Sequence, residues 1–251
     1  MEFSKNCAVK KLSATEMPQR LIYAALYNAR FGGSLPEEQE GEPTQYSEDS
    51  CGHYIAEHYL QSSNRIPSWS AYSPLEHPVI SFEIHADIAT LYELAAETKL
   101  ITFTNQSLGE VAEGTQLAIT EKSTDLEDLF SARPPGNYPD HTGHRHPWTE
   151  EDRQEQLAFG LSTAFDIKSR KEIGVGSHHT SQWLTTNTLQ KSVASGSLRS
   201  WLQLLDSHSR PHKSYEMQDL VSKIADHINS WIPQVYAWWS TQHRSKLDLR
   251  V

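Results

Sequence analysis

The feature that most constrains this chain is a period-two alternation over residues 79–84. Val79, Ser81 and Glu83 interleave with Ile80, Phe82 and Ile84. Strict alternation of that kind describes a strand with one buried face. Directly after it, Ile88, Leu91, Tyr92 and Ala95 recur at helical spacing within residues 87–96, so the strand runs straight into a helix. A second β-prone run, Leu100-Ile101-Thr102-Phe103-Thr104, ends at the polar turn Asn105-Gln106-Ser107. Strand, helix and strand in so short a span require a sheet with helices packed on it.

The flanks extend this frame. A short strand is expected over 7–12 and a helix over 14–31, with Leu21, Ala24, Ala25 and Tyr27 as its apolar set and Gly32-Gly33 as its stop. Residues 51–62 read as a helix through Ile55, Tyr59 and Leu60. Residues 116–122 fit a strand or a short helix. Thr149 followed by Glu150, Glu151 and Asp152 marks a helix N-terminus, with a helix to about residue 165. Further helices are expected over 180–195, 198–205 and 215–230, the last with Leu220, Ile224 and Ile228 four residues apart. The aromatic tail, with Trp231, Tyr236, Trp238 and Trp239, reads as core or subunit interface.

The 251 residues suit one domain spanning 1–251. Hydrophobic residues make up 37%, below the usual globular share, so long polar loops are expected: an acidic one at 34–50 and a His- and Pro-rich one at 123–148. A net charge of −10 argues against a general nucleic-acid binder. Cys7 and Cys51 lie outside any CxxC, which fits a reducing, cytoplasmic setting without a disulfide framework. No apolar run has the length of a signal peptide core or of a membrane span. His141, His144 and His146 lie in the run DHTGHRH. They read as an exposed loop, with a metal-dependent activity as the weaker option.

Ser73-Pro74-Leu75-Glu76-His77 and the elements after it resemble the signature region of the flavin-dependent thymidylate synthases, the ThyX family. There a [ST]-P-F-E-H strand leads into a helix, an R-H-R-x-x-S turn and then N-E-x-S-x-R-Y. The first helix, with the run AALYNARFGG, is similar to that family's A-A-R-x-S helix, and residues 192–205 resemble its W-T-x-N-A-R-S-L-x-x-F-L-x-L-R block. Tyr215-Glu216-Met217 stands where W-E-I lies. The resemblance covers about residues 14–239. It implies an α/β fold of the α+β kind, a largely antiparallel central sheet flanked by helices. It further implies a homotetramer with sites built between subunits, bound FAD, and methylation or alkylation at C5 of a pyrimidine nucleotide with reduced flavin and methylenetetrahydrofolate.

The resemblance holds in frame and departs in charge. Against R-H-R-x-x-S the chain has Glu97-Thr98-Lys99-Leu100-Ile101-Thr102, and the arginines of the third block become Gly196 and Leu205. Phosphates are held by arginine forks, hydroxyls and backbone N–H groups, so these losses bear on both ligands. The retained positions are His77 beside the flavin, Lys99 and Thr102 at a phosphate, and Ser107 at the pyrimidine. Arg210 and His212, in a small insertion, stand as replacement substrate contacts. Two functions follow. One is a divergent enzyme acting on a pyrimidine nucleotide or related small molecule. The other is a non-catalytic binding or regulatory protein that has lost its FAD and dUMP sites.

Overall fold

The computed structural model describes residues 7–33, 35, 46–60, 69–121, 125–139, 142–208 and 214–243. A four-stranded antiparallel sheet, in the order β1-β2-β6-β3, lies at its centre. Its strands are β1 (Ala8–Ala14), β2 (Val79–Asp87), β6 (Leu189–Ser197) and β3 (Thr102–Asn105). The fold is thus α+β, with a central antiparallel sheet flanked by helices.

The alternation in β2 does what it promised. Ile80, Phe82 and Ile84 are fully buried, and Val79, Ser81, Glu83 and His85 face the other way. Under the buried face sit α1 (Pro18–Phe31), the π-helical turn Ile55–Leu60, α7 (Leu198–His208), α8 (Tyr215–Trp231) and α9 (Pro233–Trp238). Trp201 is the largest fully buried side chain; its ring meets Phe82 edge-on at 5.0 Å and its indole N–H donates to the Ile80 carbonyl. Trp238 and Trp239 belong to this core, and Trp231 and Tyr236, partly buried, pack against it. The second sheet face carries Lys10, Glu83, His85, Lys191, Ser195 and Thr102, none of them buried.

Asp87 ends β2 and caps α3 (Ile88–Glu97), accepting from the Thr90 N–H at 2.9 Å. This is why the strand passes into the helix without a loop. Helix α1 begins differently. Met17 offers no capping side chain, so Glu48, at the start of α2 (Glu48–Tyr54), accepts from the Gln19 and Arg20 N–H groups at 2.6 and 2.9 Å. The apolar set expected on α1 is corrected: Ile22 is its fully buried side chain and Leu21 is 37% exposed.

Three further expectations change, and the one for residues 116–122 narrows to its helical alternative. Residues 180–195 do not form a helix: α6 (Ser177–Thr180) is a single turn, and from Leu189 the chain is β6, the inner strand between β2 and β3. Its core face carries Ser192, Ala194 and Gly196. These residues lack the bulk and branching that announce a strand. Residues 116–122 lie in α4 (Leu108–Glu121) as far as Glu121. Within 123–148 the chain forms an antiparallel hairpin, β4 (Gly136–Pro139) and β5 (Arg145–Trp148). Helix α5 (Glu150–Glu172) starts at the expected Thr149 cap, with Asp152 completing a capping box, but runs past residue 165. The acidic segment lies outside the described residues over 36–45, and from Glu48 it is helical. Among the described residues no helix is long and apolar enough to cross a membrane.

Candidate functional site

The expected site residues do not form one constellation within a single chain. His77 is exposed at the end of the 3-10 helix Trp69–Glu76. Lys99 is exposed in the turn between α3 and β3, and Thr102, also exposed, pairs with Ser195. These three share one end of the sheet, with Thr102 two strand spacings, roughly 10 Å, across from β2. A row of hydroxyls runs from Thr102 through Ser195 to Ser81, whose oxygens lie 2.8 Å apart in the Ser81–Ser195 pair. Ser107 sits beyond the other end of β3, roughly 15 Å away. There it caps α4: its Oγ accepts from the Glu110 N–H at 3.2 Å, and Glu110 accepts from the Ser107 N–H at 3.4 Å. Arg210, His212 and His141 lie outside the described residues. His144 and His146 are exposed on the hairpin, and among the described residues no three His, Cys, Asp or Glu side chains gather as a metal site.

What the sequence did not reveal is a cleft of about 350 Å³ lined by Tyr23, Leu26, Tyr27, Arg30 and Phe31 of α1, Tyr54 and Tyr59, and Ser73 and Pro74. Two of the blocks that carry the family resemblance therefore wall one cavity. Its aromatic rings form a chain: Tyr54 meets Tyr23 edge-on at 5.1 Å, and Tyr27 meets Phe31 at 4.8 Å. Burial pushes the Tyr23 and Tyr59 phenols above their usual range, with the neighbouring phenol of Tyr54 adding to the first, so both are neutral donors at pH 7. Arg30 is the charged side chain among these, 3.5 Å from the Tyr54 hydroxyl. Tyr23, Tyr27 and Phe31 lie four residues apart, a stripe visible in the sequence. Their partners at 54, 59 and 73 are not.

Beside this cleft the 3-10 helix is fastened from below. Glu76 accepts a hydrogen bond from Arg199 at 2.5 Å. The arginine side chain is 1% exposed and the glutamate side chain 47%. Arg199 opens α7, and the Leu198 N–H before it donates to the Pro78 carbonyl. Arg199 lies between positions 196 and 205, where the family pattern has its arginines and this chain has Gly196 and Leu205.

A second, polar cleft of about 240 Å³ lies at the N-terminal end of α3, lined by Asp87, Thr90, Glu93, Gln156, Asn187 and Glu216 among others. Arg133 also lines it but is committed: it donates to both Glu216 oxygens at 2.8 Å and stacks over Tyr138 and Trp148. Asp87 is held above the usual carboxylate range by burial, against the Thr90 hydrogen bonds that favour the anion and with Glu216 adding to the rise. A carboxyl raised on folding stabilises fully below its unfolded pKa, and that contribution is lost as pH rises through its folded pKa. Asp87→Asn keeps a capping side chain and removes the titration. The variant is expected to gain stability relative to wild type as pH rises from 3 to 7, read from urea midpoints across that range; an unchanged difference would show that Asp87 is not raised.

The fold and the clefts define a helix-flanked antiparallel sheet protein with a ligand-sized aromatic cavity. The sequence matches the model of the Thy1 family, described as thymidylate synthase complementing protein, over residues 12–234. The chain belongs to that family. Two solved structures of the UMP/dUMP methylase PolB from Streptomyces cacaoi share its fold. The one bound with 5-Br dUMP has 14% identity and a TM-score of 0.63, covering 98% of this chain and 100% of that one. The one bound with 5-Br UMP has 15% identity and the same TM-score, covering 98% and 99%. No curated protein sequence matches the chain.

Proposed function

We propose that this protein acts on a pyrimidine nucleotide as a methyl-transferring, thymidylate synthase-like enzyme. The observation that carries the reading is the shared cleft: α1 and Ser73-Pro74, both from blocks similar to the family, enclose tyrosines and one guanidinium. A planar base stacks on such rings, and Arg30 meets its phosphate. The named activity of the PolB structures supports this substrate class.

A flavin fits the sheet end in kind, on fewer charges than the family pattern supplies. Lys99, Thr102 and the hydroxyl row would hold its phosphates, and His77 would stand beside its ring. Bound there, it supplies the reducing equivalents for building a methyl group at C5. Ser107, whose Oγ accepts from Glu110, still has its O–H to donate. In a homotetramer it would serve a neighbouring copy, with Arg210 and His212 as further phosphate contacts. Each charged hydrogen bond to a phosphate contributes roughly 1.5–3 kcal/mol, so flavin affinity is expected to be weak.

A second reading, a binding protein without turnover, is favoured by Glu97 and Leu205 in place of arginines and by the commitment of Arg199 to Glu76. Purified protein is incubated with FAD, desalted, and scanned for flavin absorption. It is then mixed with chemically reduced flavin, methylenetetrahydrofolate and UMP or dUMP, and the nucleotides are analysed by mass spectrometry. A product heavier by one methylene supports the enzyme. Nucleotide binding without product keeps the substrate class and overturns the turnover, and absence of both flavin and nucleotide binding overturns the substrate class and supports the second reading, a protein that has lost both sites.

A further inference from the structure

We infer that Glu76, held by Arg199, reads the ring N–H of a uracil-type base in the aromatic cleft, which makes Arg199 a positioning residue for base specificity. This rests on the pyrimidine-nucleotide reading above and goes further by assigning the side chain that selects the base.

The 3-10 helix gives the geometry. Three residues make one turn with about 2 Å rise each, so side chains three apart eclipse. Tyr72 and Leu75 form the inward pair, 6% and 0% exposed. Ser73 and Glu76 form the outward pair, and Ser73 lines the cleft. Glu76 therefore stands one turn along from a cleft wall, on the same side.

The hydrogen bonding gives the chemistry. Glu76 Oε1 takes the Arg199 Nη1 donor at 2.5 Å. Its other oxygen has no partner among the described residues. The carboxylate is thereby tethered through one oxygen to a buried guanidinium, and its second oxygen is left to accept. A carboxylate accepts and does not donate. It complements the N3–H of uracil, and it opposes the N3 lone pair of cytosine. The same cleft carries Arg30 for the phosphate, and its tyrosines supply stacking surface. Aromatic stacking alone tolerates any base, so discrimination falls to the oriented oxygen. A site built to hydrogen-bond a ring N–H rejects analogues that lack it far more strongly than an apolar pocket rejects a size change.

The experiment titrates the full chain with UMP, CMP and N3-methyl-UMP, following tyrosine and tryptophan fluorescence or calorimetric heat. Wild type is expected to bind UMP about 10- to 100-fold more tightly than either analogue, the range for one hydrogen bond to a charged group. In Glu76→Gln the amide accepts from uracil or, flipped, donates to cytosine N3, so the UMP-to-CMP ratio is expected to fall to within about threefold. Arg199→Gln should lower the same ratio while both nucleotides still bind, because the freed carboxylate turns to water. Arg199→Lys, which keeps the charge and a donor on a differently shaped head, should recover part of it. A merely structural role for Arg199 would reduce the competent fraction and leave the ratio alone. Thermal melts of each variant confirm that it is folded. Equal binding of the three nucleotides by wild type, or ratios unchanged in Glu76→Gln, overturns this inference and leaves the pyrimidine-nucleotide reading standing. Failure of all three to bind overturns both.

Discussion

Glu76→Ala is expected to destabilise the protein by about 2–4 kcal/mol, and by clearly more than Arg199→Met. The asymmetry comes from where each partner lies. Removing the glutamate takes the carboxylate away from a guanidinium whose side chain is 1% exposed and whose charge is felt by the buried Tyr72. Arginine cannot shed its proton to escape that cost. Removing the arginine leaves a carboxylate whose side chain is 47% exposed, which rotates into water, while methionine occupies much of the vacated volume. The lower figure allows for solvent screening at the glutamate end. Urea unfolding of both variants gives the comparison, with equal slopes required for the two-state reading. Salt should change the difference little, because the buried end of the pair is shielded from counter-ions. If Arg199→Met proves the more destabilising, the arginine contributes through its packing rather than through Glu76.

The same pair shows why part of this site was legible and part was not. β2, α3 and β3 could be read because each keeps its own period: Ile80, Phe82 and Ile84 for the strand, Ile88, Leu91 and Ala95 for the helix. The capping of α5 by Thr149 and Asp152 is likewise local. β6 was missed because an inner strand with Ser192, Ala194 and Gly196 toward the core carries no bulk to mark it. The aromatic cleft was missed for a different reason. Tyr23, Tyr27 and Phe31 are visible as a stripe, but only the fold brings them to Tyr54 and Ser73. Ser107 looked like a ligand contact by position in a motif. Its hydrogen bonds give it a second, local occupation as a helix cap, which three-residue spacing to Glu110 already signals.

Placing the family's arginine back at Gly196 is expected to prevent folding rather than to restore a phosphate site. The register of β6 against β2 pairs Gly196 with Ile80, and both face the core. A Cβ at Gly196 would lie 2.9 Å from Ile101 Cγ1 and 3.3 Å from the Trp201 indole nitrogen, so even alanine must push neighbours that are 6% and 0% exposed. Gly196→Ala should therefore cost about 1–3 kcal/mol, the usual range for overpacking a filled core. Gly196→Arg adds a charge against Ile101 and Trp201. Burial of an unpaired cation costs several kcal/mol beyond the steric term. Together these approach the whole stability of a typical domain, about 5–15 kcal/mol. The measurement is soluble yield and the far- and near-ultraviolet circular dichroism of both variants. Loss of near-ultraviolet signal in Gly196→Arg, with Gly196→Ala folded but less stable, fits the packing. A folded Gly196→Arg that binds UMP more tightly than wild type would mean that this position opens onto the ligand, and would move the phosphate contact from Arg30 to the sheet.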